Sequence, residues 1–338
     1  MSNLEFKEES VDEPRKSFPI RFVARVSLCV AAIHPLATLG ARYGRLCDLL
    51  SHFEFPALLA TVVALVASLF ARARIAAVAL ALLAAYQLEP LVRYEFARRV
   101  PAAPGDRPPL RVLMSNVLIH NTDYERLNHL IISENPDIVG LIEVSPAWLE
   151  GLAVARKRYP YRYESPSLRG ATGIALWLRE KPISVDGPRS VFEGAWPHVE
   201  ATIAFRDRTL AIRLVHPSNP LYRGAEGNPE LIAIAQAVRN RTGSTLVTGD
   251  FNCTEGSPFW WDFVRISGLR DSRYGFGKQP SWPASGIYRI PIDHAFVSSD
   301  LAVTRRELGP PIGSDHLPLL IEIAPAAVAS SSRSSRRP

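Results

Sequence analysis

Residues 244–252 read STLVTGDFN, and residues 313–320 read GSDHLPLL. In the first stretch a short β-type run ends on Asp250 and Asn252. In the second, Asp315 and His316 stand at the head of the apolar run LPLLIEIA. Side chains two apart in an extended chain project to one side, so Asp250 and Asn252 can enter a single cavity and touch one water. A lone Asp or Asn after a strand is more often a turn residue or a helix cap. The pattern therefore gains weight only if such positions recur.

They do recur. LRVLMSNV (110–117) carries Asn116 at its end, DIVGLIEV (137–144) carries Glu143, TLAIRLVH (209–216) ends on His216, and IDHAFVSS (292–299) opens on Asp293. With GIALWLR (173–179), HVEATIAF (198–205) and LPLLIEIA (317–324) as further strands, and helices at Tyr124–Asn135 and near Glu230–Arg239, the pattern predicts a layered α/β domain with buried sheets. Folds of that class place their sites at the ends of strands.

In this order SNV, IEV, HPS, GDFN, IDHAFVS and GSDH resemble the endonuclease/exonuclease/phosphatase superfamily of DNase I-like enzymes, over about residues 110–323, and GDFN with SDH is the most specific part. The resemblance implies a four-layer α/β/β/α sandwich that cleaves phosphate esters with Mg²⁺, or Mn²⁺ in its place. The residue types suit that reaction, which must neutralise an anion, present a water in line and stabilise the leaving oxygen. By resemblance Glu143 is the principal metal ligand. Asn116 adds a neutral oxygen or orients that carboxylate, and Asp315 contacts the metal directly or through water. Resemblance also assigns Asp250 to activating the water, Asn252 to orienting it or holding a phosphate oxygen, and His316 to donating to the phosphate. Asp293 holds the His316 ring, and His216 is a second phosphate donor.

Other residues carry less. His294 should face away from Asp293 on a strand and reads as a packed or surface histidine. Cys253 reads as a small buried side chain. Trp260, Trp261 and Trp282 are candidates for the core or for an apolar lip beside the site, and Arg169 for a phosphate clamp or a plain surface residue.

Ahead of this domain the chain changes character. Residues 1–20 are polar and lack the basic start and early apolar run of a cleavable signal peptide. Apolar runs follow at Val26–Gly40, which contains His34 and Pro35, at Phe55–Ala71, which has no charge, and from Ile75 through Tyr86 towards Val92. These are expected to be three membrane helices, the last two forming a tight hairpin around Arg72 and Arg74. The alternative is a buried bundle in a soluble protein. The expected organisation is a polar segment (1–21), membrane helices (22–94), a proline-rich linker (95–109, with PAAPGDRPP at its end), the α/β domain (110–324) and a disordered Ser/Arg tail (325–338).

Lys7, Arg15, Lys16, Arg21, Arg72 and Arg74 favour a cytoplasmic side that would leave the C-terminal domain outside. Arg42, Arg45, Arg93, Arg98 and Arg99 oppose this, so the bias is thin. The expected location is a bacterial inner or plasma membrane. The net charge of +6 suits an anionic surface or substrate without being a nucleic-acid signature. Three scattered cysteines argue against a disulfide framework or a zinc site.

Tethering favours a membrane substrate, since a domain held near the bilayer meets lipid phosphates at high effective concentration. The architecture resembles bacterial membrane-anchored members of the superfamily of the VanJ type, which points to a lipid-linked phosphate or pyrophosphate. A membrane-bound nuclease and a non-catalytic binding module on the same fold are the alternatives.

Overall fold

The computed structural model describes residues 18–219 and 228–327. The polar segment before Phe18, with Lys7, Arg15 and Lys16, and the Ser/Arg tail from position 328 lie outside them. Four helices come first: α1 (Phe18–Gly40), α2 (Arg45–Ser51), α3 (Glu54–Phe70) and α4 (Arg74–Phe96). The α/β part follows as β1 (Leu110–Asn116), α5 (Tyr124–Glu134), β2 (Ile138–Ile142), α6 (Pro146–Gly151), α7 (Ala153–Arg156), β3 (Tyr161–Ser165), β4 (Ile174–Leu178), β5 (Ser184–Ser190), β6 (Pro197–Phe205) and β7 (Arg208–Val215). It continues with α8 (Pro229–Arg239), β8 (Ser244–Asp250), α9 (Pro258–Ser267), β9 (Arg270–Asp271), β10 (Asp293–Val297), β11 (Leu301–Leu308) and β12 (Leu319–Pro325).

The strands form two six-stranded mixed sheets, in the orders β11-β12-β1-β2-β4-β3 and β5-β6-β7-β8-β10-β9. Alternation along each strand divides its side chains between two cores. In β1, Val112 and Met114 face the other sheet, where they meet Ile212, Leu214 and Leu246, while Leu113 packs outwards under Leu127, Ile131 and Trp148 of α5 and α6. Helices α8 and α9 cover the outer face of the second sheet through Leu231, Ile234, Trp260 and Phe263. The order of layers is thus helix, sheet, sheet, helix.

Each sheet contains one parallel pair, β1–β2 and β7–β8. A parallel neighbour requires a crossover, supplied by α5 in one sheet and α8 in the other. Both pairs therefore present their carboxyl ends on one edge of the sandwich. Asn116 and Asp250 terminate β1 and β8, and Glu143 and His216 follow β2 and β7 directly.

Among the described residues α4 alone has both the length and the apolarity to cross a bilayer; α2 and α3 pass that test only as a pair bent by 72°, and the apolar part of α1 is shorter. The sequence leads one to expect three spans; the helices are present, but two of them are too short or too bent to span unaided. The bundle has a small core of Ala31, Ala64 and Leu80. Only 17% of the apolar window of α4 is buried, and Val62, Val66, Leu69, Ile75, Val78 and Leu82 point outwards.

The helices dock on the α/β part through polar contacts. Arg42 pairs with Asp262 at 2.8 Å, Ser257 donates to Asp48 at 2.5 Å, and Lys278 pairs with Glu54. Buried Arg273 donates to the Tyr94 hydroxyl at 3.0 Å, to Asp271 at 2.7 Å and to Glu255 at 3.1 Å. The segment expected as a linker is tied down as well, with Ala103 N donating to Pro325 O at 2.8 Å and Arg99 to Gly275 O at 2.7 Å.

Candidate active site

Asn116, on the last turn of the pleat in β1, is fully buried. Its side-chain amide donates to Glu143 Oε1 at 2.9 Å and to Asp250 Oδ2 at 3.1 Å, while its Oδ1 accepts from the Leu118 backbone at 3.0 Å. One amide thus joins carboxylates from the two sheets. Because its oxygen is engaged by the backbone, the geometry favours the orienting role among the two expected of Asn116.

Glu143 adopts a left-handed backbone conformation at φ 63°, which is uncommon for a side chain of this kind and turns its carboxylate back over β1. The turn is held by Glu143 N donating to Gly173 O at 2.7 Å. Burial raises the Glu143 pKa; the Asn116 hydrogen bond and the His316 charge oppose this, and Asp315 adds to it. Glu143, His316 and Asp315 therefore share one electrostatic environment.

Asp250 lies between two imidazoles. Nε2 of His216 and Nε2 of His316 each stand 3.7 Å from Asp250 Oδ2, and Asn252 N donates to the other oxygen at 2.8 Å. Burial raises the Asp250 carboxyl to about 7 against the opposing His316 charge. The two histidines are driven apart. Burial pulls His216, edge-on to Trp196, down to about 3. Burial would lower His316 too, but the Asp293 and Asp250 carboxylates outweigh it and raise this ring to about 10. Asp293 Oδ2 meets His316 Nδ1 at 2.8 Å. At neutral pH one imidazole is a neutral partner and the other a cation.

Asn252 donates to Pro217 O at 3.1 Å, which links the GDFN turn to the His216 loop. Asp315 accepts from the Trp282 indole N–H at 2.9 Å. Ser314 donates to Asn116 O at 2.8 Å and accepts from His316 N at 3.1 Å, fastening the GSDH turn to the end of β1.

The expected site residues are thus gathered at one edge, with Asn252 facing the His216 loop. Ser314 is an addition, and Trp282, a candidate for the core or for an apolar lip, holds Asp315 instead. Ser314 is visible inside GSDH, whereas the Trp282 contact spans 33 positions and leaves no local signal. Of the other tryptophans, Trp260 is core and Trp261 is partly exposed. His294 is buried with its Nε2 2.8 Å from Cys253 O, a packed histidine, and Arg169 is exposed.

The chemistry of this edge fits a hard divalent cation. Buried Oδ1 atoms of Asp293 and Asp315 have no hydrogen-bond partner among the described residues, and Glu143 is met only by N–H donors. Asp250, Asp293 and His316 place possible ligand atoms within 4.8 Å of one another. In that trio, however, the imidazole Nδ1 is already hydrogen-bonded to Asp293. Asp315 and Asp293 each keep one carboxylate oxygen free of donors among the described residues, and Glu143 shares the electrostatic environment of Asp315, so these acids are the candidates to hold a divalent cation.

The family model described as Endonuclease/Exonuclease/phosphatase family matches residues 113–316, which excludes α1–α4. Among solved structures, an endonuclease/exonuclease/phosphatase family protein from Leptotrichia buccalis C-1013-b is similar at TM-score 0.53 and 19% identity, covering 63% of this chain and 99% of that one. D. rerio TDP2 complexed with a single-strand DNA product gives 0.53 and 17%, covering 63% and 98%. The human Nocturnin catalytic domain with a bound sulfate anion gives 0.51 and 20%, covering 66% and 97%. At such identities the likeness shows the fold. Comparison with curated proteins finds no match.

Proposed function

Because the chain belongs to the endonuclease/exonuclease/phosphatase family, a superfamily of phosphoesterases and nucleases, we propose that it is a membrane-anchored, Mg²⁺-dependent phosphohydrolase cleaving a phosphoester or pyrophosphate bond of a lipid-linked substrate. The observation that carries the hydrolase reading is the Asp250 carboxylate standing 3.7 Å from Nε2 of both His216 and His316. A carboxylate raised to about 7 is matched to taking a proton from water at neutral pH. The Asn116 and Asn252 N–H groups fix the orientation of that carboxylate. His316, held by Asp293, offers a charged donor to a phosphate oxygen, and His216 offers a neutral one. Glu143 with Asp315 would hold the cation, Mg²⁺ or Mn²⁺. When bound, that ion neutralises phosphate charge and stabilises the charge that develops as the bond breaks.

The outward apolar faces of α1, α3 and α4 support membrane anchoring. We place the bundle in a bacterial inner or plasma membrane with the catalytic domain outside the cytoplasm, on the side opposite the Arg72–Arg74 hairpin. Several arginines on the domain side, such as Arg42 and Arg99, are occupied by protein contacts, which weakens their opposition to this orientation. Anchoring raises the effective concentration of membrane phosphates and gives soluble DNA no such advantage. This favours a lipid-linked phosphate or pyrophosphate as the substrate.

The test is a panel of lipid diphosphates, sphingomyelin and plasmid DNA, run with Glu143→Ala and His316→Ala controls. Hydrolysis of a lipid that both substitutions abolish is expected. Nicking of plasmid DNA with steep salt dependence and no lipid turnover replaces this reading with a nuclease. No turnover of any phosphoester and no cation binding leaves a binding module.

A further inference from the structure

A cavity of about 270 Å³ lies between the helices and the α/β domain. Phe55 and Leu58 of α3, Leu91 of α4 and Ile287, Ile290 and Pro291 of the loop before β10 form its apolar walls. Gln87 of α4 faces this cavity and a neighbouring one of about 290 Å³, and it is only 4% exposed. Neither polar atom of its amide has a hydrogen-bond partner among the described residues, and buried Nε of Arg289, which also lines the cavity, has none either. Orphaned groups of this kind are costly, and a space of about 270 Å³ is too large for a single bridging water to fill. The lining suits an amphiphile: hydrocarbon against the apolar walls, an oxygen at Gln87 and Arg289, and a polar side formed by His52, Thr254 and the Glu54–Lys278 ion pair.

The cavity shares a wall with the catalytic edge. Ile290 lines it and is paired through the backbone with Trp282, whose indole holds Asp315 at 2.9 Å. Pro291 lines it two positions before Asp293. Ile287 and Tyr288, 69% and 52% exposed, form an apolar lip on the same loop.

We propose that this cavity binds the hydrocarbon chain of the substrate, selecting a phosphoester with a long apolar tail. Its phosphate reaches the catalytic edge around the Ile287–Tyr288 lip, and Gln87 and Arg289 hold the carbonyl oxygen of an acylated tail. This inference rests on the lipid-hydrolase reading and adds the chain-binding site to it.

The full chain in nanodiscs would be assayed on hexadecyl p-nitrophenyl phosphate and methyl p-nitrophenyl phosphate, and photolabelled with hexadecyl phosphate carrying a diazirine in its chain. Leu58→Trp is expected to lower kcat/KM at least tenfold for the hexadecyl ester and less than twofold for the methyl ester. The label is expected on α3, α4 and the 287–291 loop, and to be lost in Leu58→Trp. Gln87→Leu, of similar size, should raise Tm without lipid and raise KM for the 2-(palmitoyloxy)ethyl p-nitrophenyl phosphate ester, whose tail carries a carbonyl, but not for the hexadecyl or methyl ester. That second variant keeps the test open if Leu58→Trp folds poorly. Equal loss on all three esters in a folded Gln87→Leu variant, or a label confined to the outer helix faces, overturns the chain site even if the esters are hydrolysed. A label in the cavity with no ester hydrolysed upholds the chain site and overturns the hydrolase reading instead.

Discussion

His216 and His316 reach the same Asp250 oxygen at the same distance, yet their environments drive them to opposite protonation states. The difference is Asp293, whose carboxylate lies 2.8 Å from one ring and not the other. Asp293→Asn keeps the shape and removes the charge. His316 should then lose its proton at lower pH, so the alkaline limb of the rate profile moves down from the region of about 10. The expected loss of kcat at pH 7 is roughly 10²-fold or more, as for removal of a positioned proton donor. A pH–rate profile that does not move assigns the cation elsewhere. The identities of these residues were legible in the sequence because each sits in a short motif. Their protonation states were not, since these depend on burial and on charges brought from distant strands.

The two parallel strand pairs explain how residues so far apart in sequence meet, and glycines at their ends set how closely they do so. A Cβ on Gly249, the residue before Asp250, would lie 1.8 Å from Val215 O, and one on Gly173 would lie 1.9 Å from Val144 O beside Glu143. Only a bare backbone allows either approach. Gly249→Ala should therefore push β8 away from β7, destabilising the protein by about 1–3 kcal/mol and displacing Asp250. Chemical denaturation and kcat measured on the same sample check this; an unchanged kcat with unchanged stability removes the argument. The strongly apolar strands β1, β2, β4, β6, β7, β8, β10 and β12 were legible from their runs. Strands β3 (YRYES) and β5 (SVDGPRS) were not, because they lie at sheet edges and their mostly polar residues carry little periodic signal. β11 (LAVTRREL) combines an apolar start with a charged end for the same reason.

Across the whole molecule the helices and the α/β domain are joined around Arg273, a fully buried cation that meets Tyr94 from α4 and Glu255 and Asp271 from the domain. Nothing in the sequence marked this junction, since its members are scattered and none lies in a motif. Burial would raise the pKa values of Glu255 and Asp271, but the Arg273 charge overcomes it and depresses both. Their contribution to stability is thus complete above the ordinary carboxylate range and lost as pH falls below it. Arg273→Met removes the main counter-ion of two buried acids, leaving Lys278 at 3.3 Å for Glu255, at an expected cost of roughly 3–5 kcal/mol at neutral pH. The sign of the pH dependence should then reverse, with the variant gaining stability as pH falls from 7 towards 5. A variant that tracks the wild type across that range contradicts the proposed clamp. All of these levels serve one claim, that a cation held at Glu143 and a water activated at Asp250 hydrolyse a phosphoester. Its most direct test is the rate of bis-p-nitrophenyl phosphate hydrolysis by the full chain as Mg²⁺ is titrated. A saturable, EDTA-reversible rise that Glu143→Ala eliminates is expected, whereas a rate indifferent to both Mg²⁺ and Glu143 would contradict the claim.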